Sequence, residues 1–252
     1  MSGLVISDLS VDFGGVRALD GISAELSDRA IGLIGPNGAG KTTLVNCLTG
    51  VVAPSSGSAR FGEVQLTGVP LHRLAHVGVI RSFQHAKLFP DLTAAENVMI
   101  GAHRRGRAGF FSAAIRGPAI RSDEQTLRAH ADEALAAISC DHLADVPARY
   151  LTIGQQRLIS VARALAAKPG FLILDEPAAG LSDTEAEQLS VDLRRVVATG
   201  TTLLMIEHRL PIVMDLCGVV MVLADGQLVA VGSPEQVRHA PQVISAYLGA
   251  SA

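Results

Sequence analysis

The sequence has few of the residues on which most nucleic-acid-binding proteins rely. Tryptophan is absent, and the 252 residues include only two tyrosines and seven phenylalanines. A stacking platform for single-stranded nucleic acid needs more aromatic rings than this. The net charge of −3, from 21 basic and 24 acidic side chains, is also unlike the basic surface of a general nucleic-acid binder. We therefore expect no nucleic-acid partner.

Cysteine pairs, a leader and long apolar runs are lacking as well. Cys47, Cys140 and Cys217 lie far apart and show no zinc-binding spacing, which is typical of reduced thiols in a cytosolic chain. The longest apolar run, Val219–Ala224, has six residues, whereas a membrane-spanning helix needs about 20. The first residues lack the basic and apolar regions of a signal peptide. These features predict a cytoplasmic location.

The composition and the hydrophobic pattern indicate a folded α/β chain. Apolar residues make up 48% and charged residues 18%, which excludes general disorder. Alternating residues predict strands over Leu4–Phe13 and Val16–Leu26, joined by a turn at Gly14 and Gly15. Further apolar runs predict strands at Ile31–Ile34, Ser58–Phe61, Val64–Leu66, Val77–Phe83, Phe171–Leu174, Thr201–Ile206 and Val219–Leu223.

Helical patterns lie between these strands. We predict a helix over Lys41–Leu48, and helices near Gln155–Ala167 and Thr184–Ala198. Residues 85–150 are rich in alanine with helical spacing, and Ser122 is a plausible N-cap for a helix over Asp123–Ile138. The order is a β/α alternation with a helical insert.

The segment after the Ile31–Ile34 strand has the pattern of a phosphate-binding loop. It matches G-x-x-x-x-G-K-[ST] and consists of Gly35, Pro36, Asn37, Gly38, Ala39, Gly40, Lys41, Thr42 and Thr43. Its glycines let successive backbone N–H groups point at phosphate oxygens, and the helix N-terminus adds a positive dipole. Lys41 is expected to bind the β- and γ-phosphates, and the Thr42 hydroxyl to bind Mg²⁺. The sequence therefore predicts a site for a nucleotide with magnesium.

Two adjacent carboxylates follow another apolar strand. Asp175 and Glu176 come at the end of the Phe171–Leu174 run, where open α/β sheets bind ligands. Asp175 is expected to hold Mg²⁺, partly through water. Strand alternation would turn Glu176 to the opposite face, where it could polarise a water attacking the γ-phosphate. Together with the phosphate-binding loop, this pair predicts nucleoside triphosphate hydrolysis.

Three further segments resemble those of ABC-type ATPases. The sequence Leu151-Thr152-Ile153-Gly154-Gln155 resembles their L-S-G-G-Q signature motif. Gln84 and His208 stand where that family has its Q-loop glutamine and switch histidine, and residues 179–183 match its D-loop, with Ser182 and Asp183. The resemblance implies a P-loop NTPase (RecA-like) core, an antiparallel β subdomain and an inserted helical subdomain. It predicts one domain over residues 1–252, with its core in 1–84 and 151–252 and its helical part at about 85–150.

The resemblance also implies roles for these residues. Phe13 would stack on the adenine of ATP, and Gln84 would contact Mg²⁺ and the attacking water. Glu176 would be the catalytic base, and His208 would bind the γ-phosphate. The signature motif would act on the ATP of a second ATPase subunit, either identical or paralogous. Thr152 replaces the usual serine but keeps a hydroxyl, whereas Ile153 places a β-branched side chain where the family has glycine.

Four segments that are less directly involved in the chemistry are similar to the corresponding segments of ATP-binding subunits for branched-chain amino acid uptake. They are Arg81–Phe89, Gly109–Ser112, Gly232–Glu235 and Ala246–Gly249. This likeness implies two membrane permease subunits, an extracytoplasmic substrate-binding protein and a peripheral position on the cytoplasmic face of the cell membrane. Because the ATPase does not touch the cargo, urea or short-amide uptake and lipid export remain alternatives.

Two other classes of protein, and one hypothesis about a basic loop, remain as alternatives. A soluble ABC-type ATPase acting on DNA or ribosomes usually has a coiled-coil insertion or a second ATPase domain, and the sequence shows neither. A non-catalytic regulatory subunit conflicts with the intact Lys41, Asp175 and Glu176. The basic stretch Arg104–Arg107 could lie near anionic lipid or the permease, or it could be a solvated loop.

Overall fold

Two β-sheets with surrounding helices form the part of the chain that the computed structural model describes, residues 3–82, 88–102 and 118–249. The strands in these residues are β1 (Leu4–Phe13), β2 (Val16–Leu26), β3 (Ala30–Ile34), β4 (Ser56–Phe61), β5 (Val64–Gln65), β6 (Val79–Ser82), β7 (Phe171–Asp175), β8 (Thr202–Ile206), β9 (Val219–Ala224) and β10 (Gln227–Gly232). The helices are α1 (Lys41–Leu48), α2 (Leu71–His76), α3 (Ala94–Ala102), α4 (Pro118–Ala137), α5 (Ile153–Ala166), α6 (Asp183–Ala198), α7 (Leu210–Leu216), α8 (Pro234–Arg238) and α9 (Pro241–Gly249).

The larger sheet brings together the loops that carry the chemistry. Its six strands have the order β10-β9-β3-β8-β7-β6, and all but β10 run parallel. The smaller sheet is antiparallel, with the order β2-β1-β4-β5. Because parallel strands end at the same edge, the segments that follow β3, β7 and β8 meet there.

Alternation along the central strands divides the interior into two cores. In β7, Phe171 and Ile173 pack toward the smaller sheet and α1, whereas Leu172 and Leu174 pack toward helices α3 to α7. All five residues of β7 are buried. The larger sheet is thus covered on both faces, which explains why its parallel strands have continuous apolar sequences.

The strand and helix predictions near the N-terminus are confirmed. Strands β1 and β2 and helix α1 have the predicted bounds. Gly14 and Gly15 have φ of 53° and 96°, the left-handed values that a tight hairpin turn requires. The hydrophobic period and the glycine pair were therefore sufficient to predict the strands and the turn of this region.

One predicted helix start is wrong, and another differs from the structure by two residues. Ser122 lies inside α4, which covers Pro118–Ala137, so it does not cap that helix. Helix α5 begins at Ile153 rather than near Gln155, because Thr152 and Gln155 form a capping box at its N-terminus. The predicted strand through Phe83 is described only as far as Ser82, and Phe83 itself lies outside the described residues.

Helices α3 and α5 approach each other closely at Gly101. A Cβ atom added at this position would overlap the backbone carbonyl oxygen of Arg163 and approach the Arg163 side chain. The overlap is with backbone, so a side-chain rotation cannot relieve it. The packing of α3 on α5 therefore depends on glycine at this position.

We expect Gly101→Ala to lower the free energy of unfolding by about 2–3 kcal/mol, the range for overpacking a close contact. Gly170→Ala is the matched control, because a Cβ atom there meets no atom within 4 Å. Urea titration of both variants measures the effect. Equal unfolding midpoints for the two variants would show that α3 and α5 can move apart to accept the methyl group without a loss of stability.

Candidate functional site

A cleft of about 240 Å³ lies at the edge where the parallel strands end. The phosphate-binding loop lines one side of it, and Asp175, Glu176 and His208 line the other. Ala18 of β2 and Ile206 of β8 complete the wall. The structure therefore brings residues 37–43 together with both predicted carboxylates and the predicted histidine.

The phosphate-binding loop presents backbone donors to this cleft. Gly38 and Gly40 have φ of 81° and 96°, and Gly40 is the residue before α1. Among the described residues no side chain caps the first turn of α1, and this turn itself contains no acidic residue. Its N–H groups and the positive end of the helix dipole are consequently available to an anion.

Lys41 extends along the inner side of the same loop. Its ammonium donates hydrogen bonds to the carbonyl oxygens of Gly35 and Pro36, both at 2.7 Å. The residue is only 7% exposed. Burial lowers the pKa of the ammonium, and the nearby charges of Glu176 and Asp175 oppose this shift. The site thus holds one cation opposite two carboxylates.

Asp175 forms an ion pair inside the protein. Its Oδ2 atom accepts a hydrogen bond from Arg81 Nη2 at 2.9 Å, and the two side chains are 7% and 5% exposed. Arg81 Nη1 also donates to Asn46 Oδ1 of α1 at 2.6 Å. The arginine links β6, β7 and α1 behind the cleft. Removing it would leave a buried carboxylate uncompensated.

Glu176 and His208 contact each other in the wall of the cleft. His208 Nε2 lies 2.9 Å from Glu176 Oε1, and the side chains are 45% and 24% exposed. Strand β7 ends at Asp175, and Glu176 has a φ of 50°, so the prediction that strand alternation orients Glu176 is wrong. The Glu176 N–H donates to the carbonyl oxygen of Ile206 at 2.9 Å, which ties the two loops together.

The signature segment lies outside this cleft. Thr152 Oγ1 accepts from the Gln155 N–H at 3.1 Å, and Gln155 Oε1 accepts from the Thr152 N–H at 3.0 Å. Tyr150 and Ile153 are 72% and 76% exposed. Gly154 is buried against the carbonyl oxygen of Gly180. The segment therefore presents a capped helix start and the exposed Ile153 side chain at the surface, beside the exposed Tyr150.

The D-loop leads into α6. Ser182 caps this helix in a capping box with Glu185. The Asp183 side chain is 92% exposed and pairs with Arg209.

Phe13 is half exposed at the β1–β2 turn and does not line the cleft, although Ala18 of the same hairpin does.

Several predicted features fall outside the described residues. These are Gln84, the stretch Arg104–Arg107 and the segment Gly109–Ser112. Among the residues that are described, no group of three or more His, Cys, Asp and Glu side chains could hold a metal ion. Magnesium in nucleotide sites needs only one or two protein oxygens, with phosphates and water supplying the rest. The Thr42 hydroxyl and Asp175, which line one cleft, fit that requirement.

Sequence reasoning gave no role to Arg81, Glu207 or Arg209, which the structure places around the site. A signal existed for two of them. Arg81 interrupts an apolar strand, and Glu207 directly follows another. Charged residues in such buried positions are nearly always paired. The partners Asp175 of Arg81 and Ala178 of Glu207, however, lie far away along the chain and could not be identified from the pattern.

Two solved structures have the same fold over almost the whole chain. A nucleotide-free ATP-binding cassette from an ABC transporter is 30% identical, with a TM-score of 0.84 and coverage of 98% of this chain and 99% of that one. An ABC transporter cassette in its ADP conformation is 31% identical, with the same TM-score and 99% coverage of both chains. Fold and cleft thus define an ATP-binding cassette of the ABC type. The predicted α/β core with antiparallel β and helical subdomains is confirmed.

Sequence comparison narrows the class to a family. Residues 19–179 match the ABC transporter family, and residues 227–252 match the family described as branched-chain amino acid ATP-binding cassette transporter. The high-affinity branched-chain amino acid transport ATP-binding protein BraF of Pseudomonas aeruginosa is 38% identical over 98% of this chain and 97% of its own length. LivG of Salmonella typhimurium, described in the same words, is 40% identical with the same coverage. The chain belongs to the family of ABC transporter ATP-binding proteins for branched-chain amino acid transport.

Proposed function

We propose that the chain hydrolyses ATP to drive an importer of branched-chain amino acids. The observation that carries the catalytic part is the shared cleft of the phosphate-binding loop, Asp175, Glu176 and His208. The cargo follows from the similarity to BraF and LivG over nearly the full length and from the match at residues 227–252. Urea, short amides and lipids are the competing cargoes.

The phosphates of ATP would bind to the loop and to Lys41. Backbone N–H groups at the start of α1 would hold the phosphate oxygens, and the Lys41 ammonium would leave its two carbonyl partners for the β- and γ-phosphates. Residues Gly35, Pro36, Asn37, Gly38, Ala39, Gly40, Thr42 and Thr43 would complete this contact. Phe13 would lie against the adenine, as the resemblance implies.

Glu176 would accept a proton from the attacking water, and His208 would orient the Glu176 carboxylate. The 2.9 Å contact between Glu176 Oε1 and His208 Nε2 holds the carboxylate toward the cleft. When ATP binds, the imidazole would donate to a γ-phosphate oxygen. Gln84 would contact the same water. Positioning and charge neutralisation account for most of the catalysis in such sites.

Magnesium would be held by Thr42, by Gln84 and by the Asp175 carboxylate, partly through water. When bound, Mg²⁺ neutralises charge on the β- and γ-phosphates. Arg81 would fix the Asp175 carboxylate in one orientation, since it bonds Oδ2 at 2.9 Å.

The signature motif, Leu151–Gln155, would serve the ATP of a second ATPase subunit. The exposure of Ile153, and of Tyr150 just before the motif, away from the cleft of the same chain supports this arrangement. Thr152 would offer its hydroxyl to that γ-phosphate. Ser182 and Asp183 of the D-loop would lie at the same contact. A single chain would then lack half of each composite site.

The pair of ATPase subunits would bind two permease subunits at the cytoplasmic face of the cell membrane. An extracytoplasmic binding protein would deliver the amino acid to the permeases. In this arrangement the described residues 88–102 and 118–150 would belong to the helical subdomain. Over residues 3–82, 88–102 and 118–249, we find no helix that combines the length and the apolar character needed to span a bilayer.

Uptake by intact cells tests the cargo. In cells whose only copy carries Glu176→Gln, uptake of labelled leucine, isoleucine and valine is expected to fall to background while urea uptake stays normal. Glu133→Gln is the matched control, because Glu133 pairs with Lys168 at the surface, away from the cleft. Normal entry of all three amino acids would refute the cargo assignment, and loss of urea uptake alone would favour the amide alternative.

A further inference from the structure

Two loops beside the catalytic pair are joined through a buried carboxylate. The first is the switch loop, residues 207–209, between β8 and α7, and the second is residues 176–182, between β7 and α6. Glu207 is 3% exposed. Its Oε1 atom accepts from the Ala178 N–H at 2.9 Å, and its Oε2 atom accepts from the N–H groups of His208 at 2.8 Å and Arg209 at 3.1 Å.

These bonds explain how a carboxylate is tolerated in the interior. A buried charge is costly unless hydrogen bonds replace its water, and bonds to an ionised acceptor are roughly twice as strong as neutral ones. Glu207 has three such donors from two separate loops. Its position fixes the backbone on which the His208 imidazole is mounted.

Arg209 makes a second link between the same loops. Its Nη1 atom donates to the carbonyl oxygen of Leu181 at 3.1 Å, and its Nη2 atom donates to the carboxylate of Asp183. An exposed ion pair alone contributes little. Here the planar guanidinium also binds a backbone oxygen, so its two donors fix the geometry of both residues.

We propose that Glu207 and Arg209 are positioning residues that couple His208 to the D-loop. Glu207 holds the histidine opposite Glu176, and Arg209 carries any displacement of the switch loop to Leu181 and Asp183. The inference rests on the proposed function, in which only a nucleotide with a γ-phosphate reaches His208. The D-loop would accordingly respond to ATP and not to ADP, although both occupy the phosphate-binding loop.

Hydrogen exchange measured by mass spectrometry tests this coupling. The full chain is compared with Mg²⁺-ADP and with a Mg²⁺-bound ATP analogue that has an imido bridge before the γ-phosphate, at a concentration where light scattering shows a monomer. In the wild type, the peptide covering residues 178–183 should differ in exchange rate between the two nucleotides. In Arg209→Gln and Glu207→Gln, this difference should shrink about fivefold or more, the lower range of allosteric coupling.

Protection of residues 35–45 by either nucleotide should be unchanged in these variants, which separates lost coupling from lost binding. Arg194→Gln is the matched control, because Arg194 also joins α6 to α7, and its hydrogen bond and ion pair among the described residues are with Asp215 rather than with either loop. Arg209→Lys should restore only part of the response, since a lysine cannot bind Leu181 and Asp183 with a rigid fork.

The outcomes for the inference and for the proposed function are distinct. If the wild type distinguishes the two nucleotides and Arg209→Gln and Glu207→Gln retain the full difference, the coupling through these residues is refuted. If the wild-type peptide 178–183 shows no difference between the nucleotides, the coupling is refuted too. A wild-type chain whose residues 35–45 gain no protection from any nucleotide would instead refute the proposed function.

Discussion

Replacing Glu176 with glutamine is expected to lower kcat for ATP hydrolysis by about 10²- to 10⁴-fold, the contribution typical of a positioned general base. The amide has the same volume as the carboxylate and can still accept a hydrogen bond from His208, but it cannot take a proton from water. Since the phosphate-binding loop is untouched, KM for ATP should stay close to that of the wild type. A fall in kcat without a rise in KM identifies an interaction made only in the transition state.

Turnover is best measured in the assembled transporter, where the proposed composite sites would be complete. Glu133→Gln again serves as the control, as it makes the same chemical change at an exposed surface pair. Unchanged kcat in the Glu176 variant would remove this residue from the proton transfer. A rise in KM with kcat preserved would assign Glu176 to nucleotide binding instead.

The chemistry of the cleft was predictable because its parts follow short local patterns. The glycine spacing before Lys41 and the carboxylates after an apolar strand each carry a signal over a few residues. The parallel sheet then brings the ends of β3, β7 and β8 to one edge. Placement of Asp175 at the same edge as Lys41 therefore needed no knowledge of distant contacts.

The supporting contacts depend on residues far apart in the chain, which periodicity does not reveal. Arg81 and Asp175 are 94 positions apart, and Glu207 and Ala178 are 29 positions apart. The start of α5 is a different case. Thr152 and Gln155 have the spacing of a capping box, so the sequence contained the signal that places the helix start at Ile153.

The left-handed backbone at Glu176 could not be predicted from residue type. Only glycine, and to a lesser degree asparagine and aspartate, adopt positive φ readily, so a glutamate with a φ of 50° costs conformational energy. The bond from its N–H to the Ile206 carbonyl oxygen helps to offset that cost. The conformation ends β7 one residue before Glu176 and allows both carboxylates to line one cleft.

Replacing Lys41 with methionine is expected to weaken ATP binding by about 2–4 kcal/mol, the usual loss for one partner of a desolvated charge pair. This corresponds to roughly 30- to 1,000-fold in Kd. The loss for ADP should be smaller, because ADP has no γ-phosphate for the ammonium to contact. Calorimetric titration of the full chain with each nucleotide gives both constants.

Folding stability should respond differently from affinity, and this contrast tests the role of Lys41. Burial lowers the pKa of its ammonium, so the folded chain holds a cation that burial disfavours. Methionine removes that cost along with the bonds to Gly35 and Pro36, and the free energy of unfolding should change by less than about 1 kcal/mol. Lys168→Met, at an exposed pair with Glu133, should leave both affinity and stability near the wild type. Suppose instead that Lys41→Met lowered the free energy of unfolding by several kcal/mol, and that the loss of ATP affinity was no larger than this loss of stability explains. Lys41 would then stabilise the loop rather than bind phosphate.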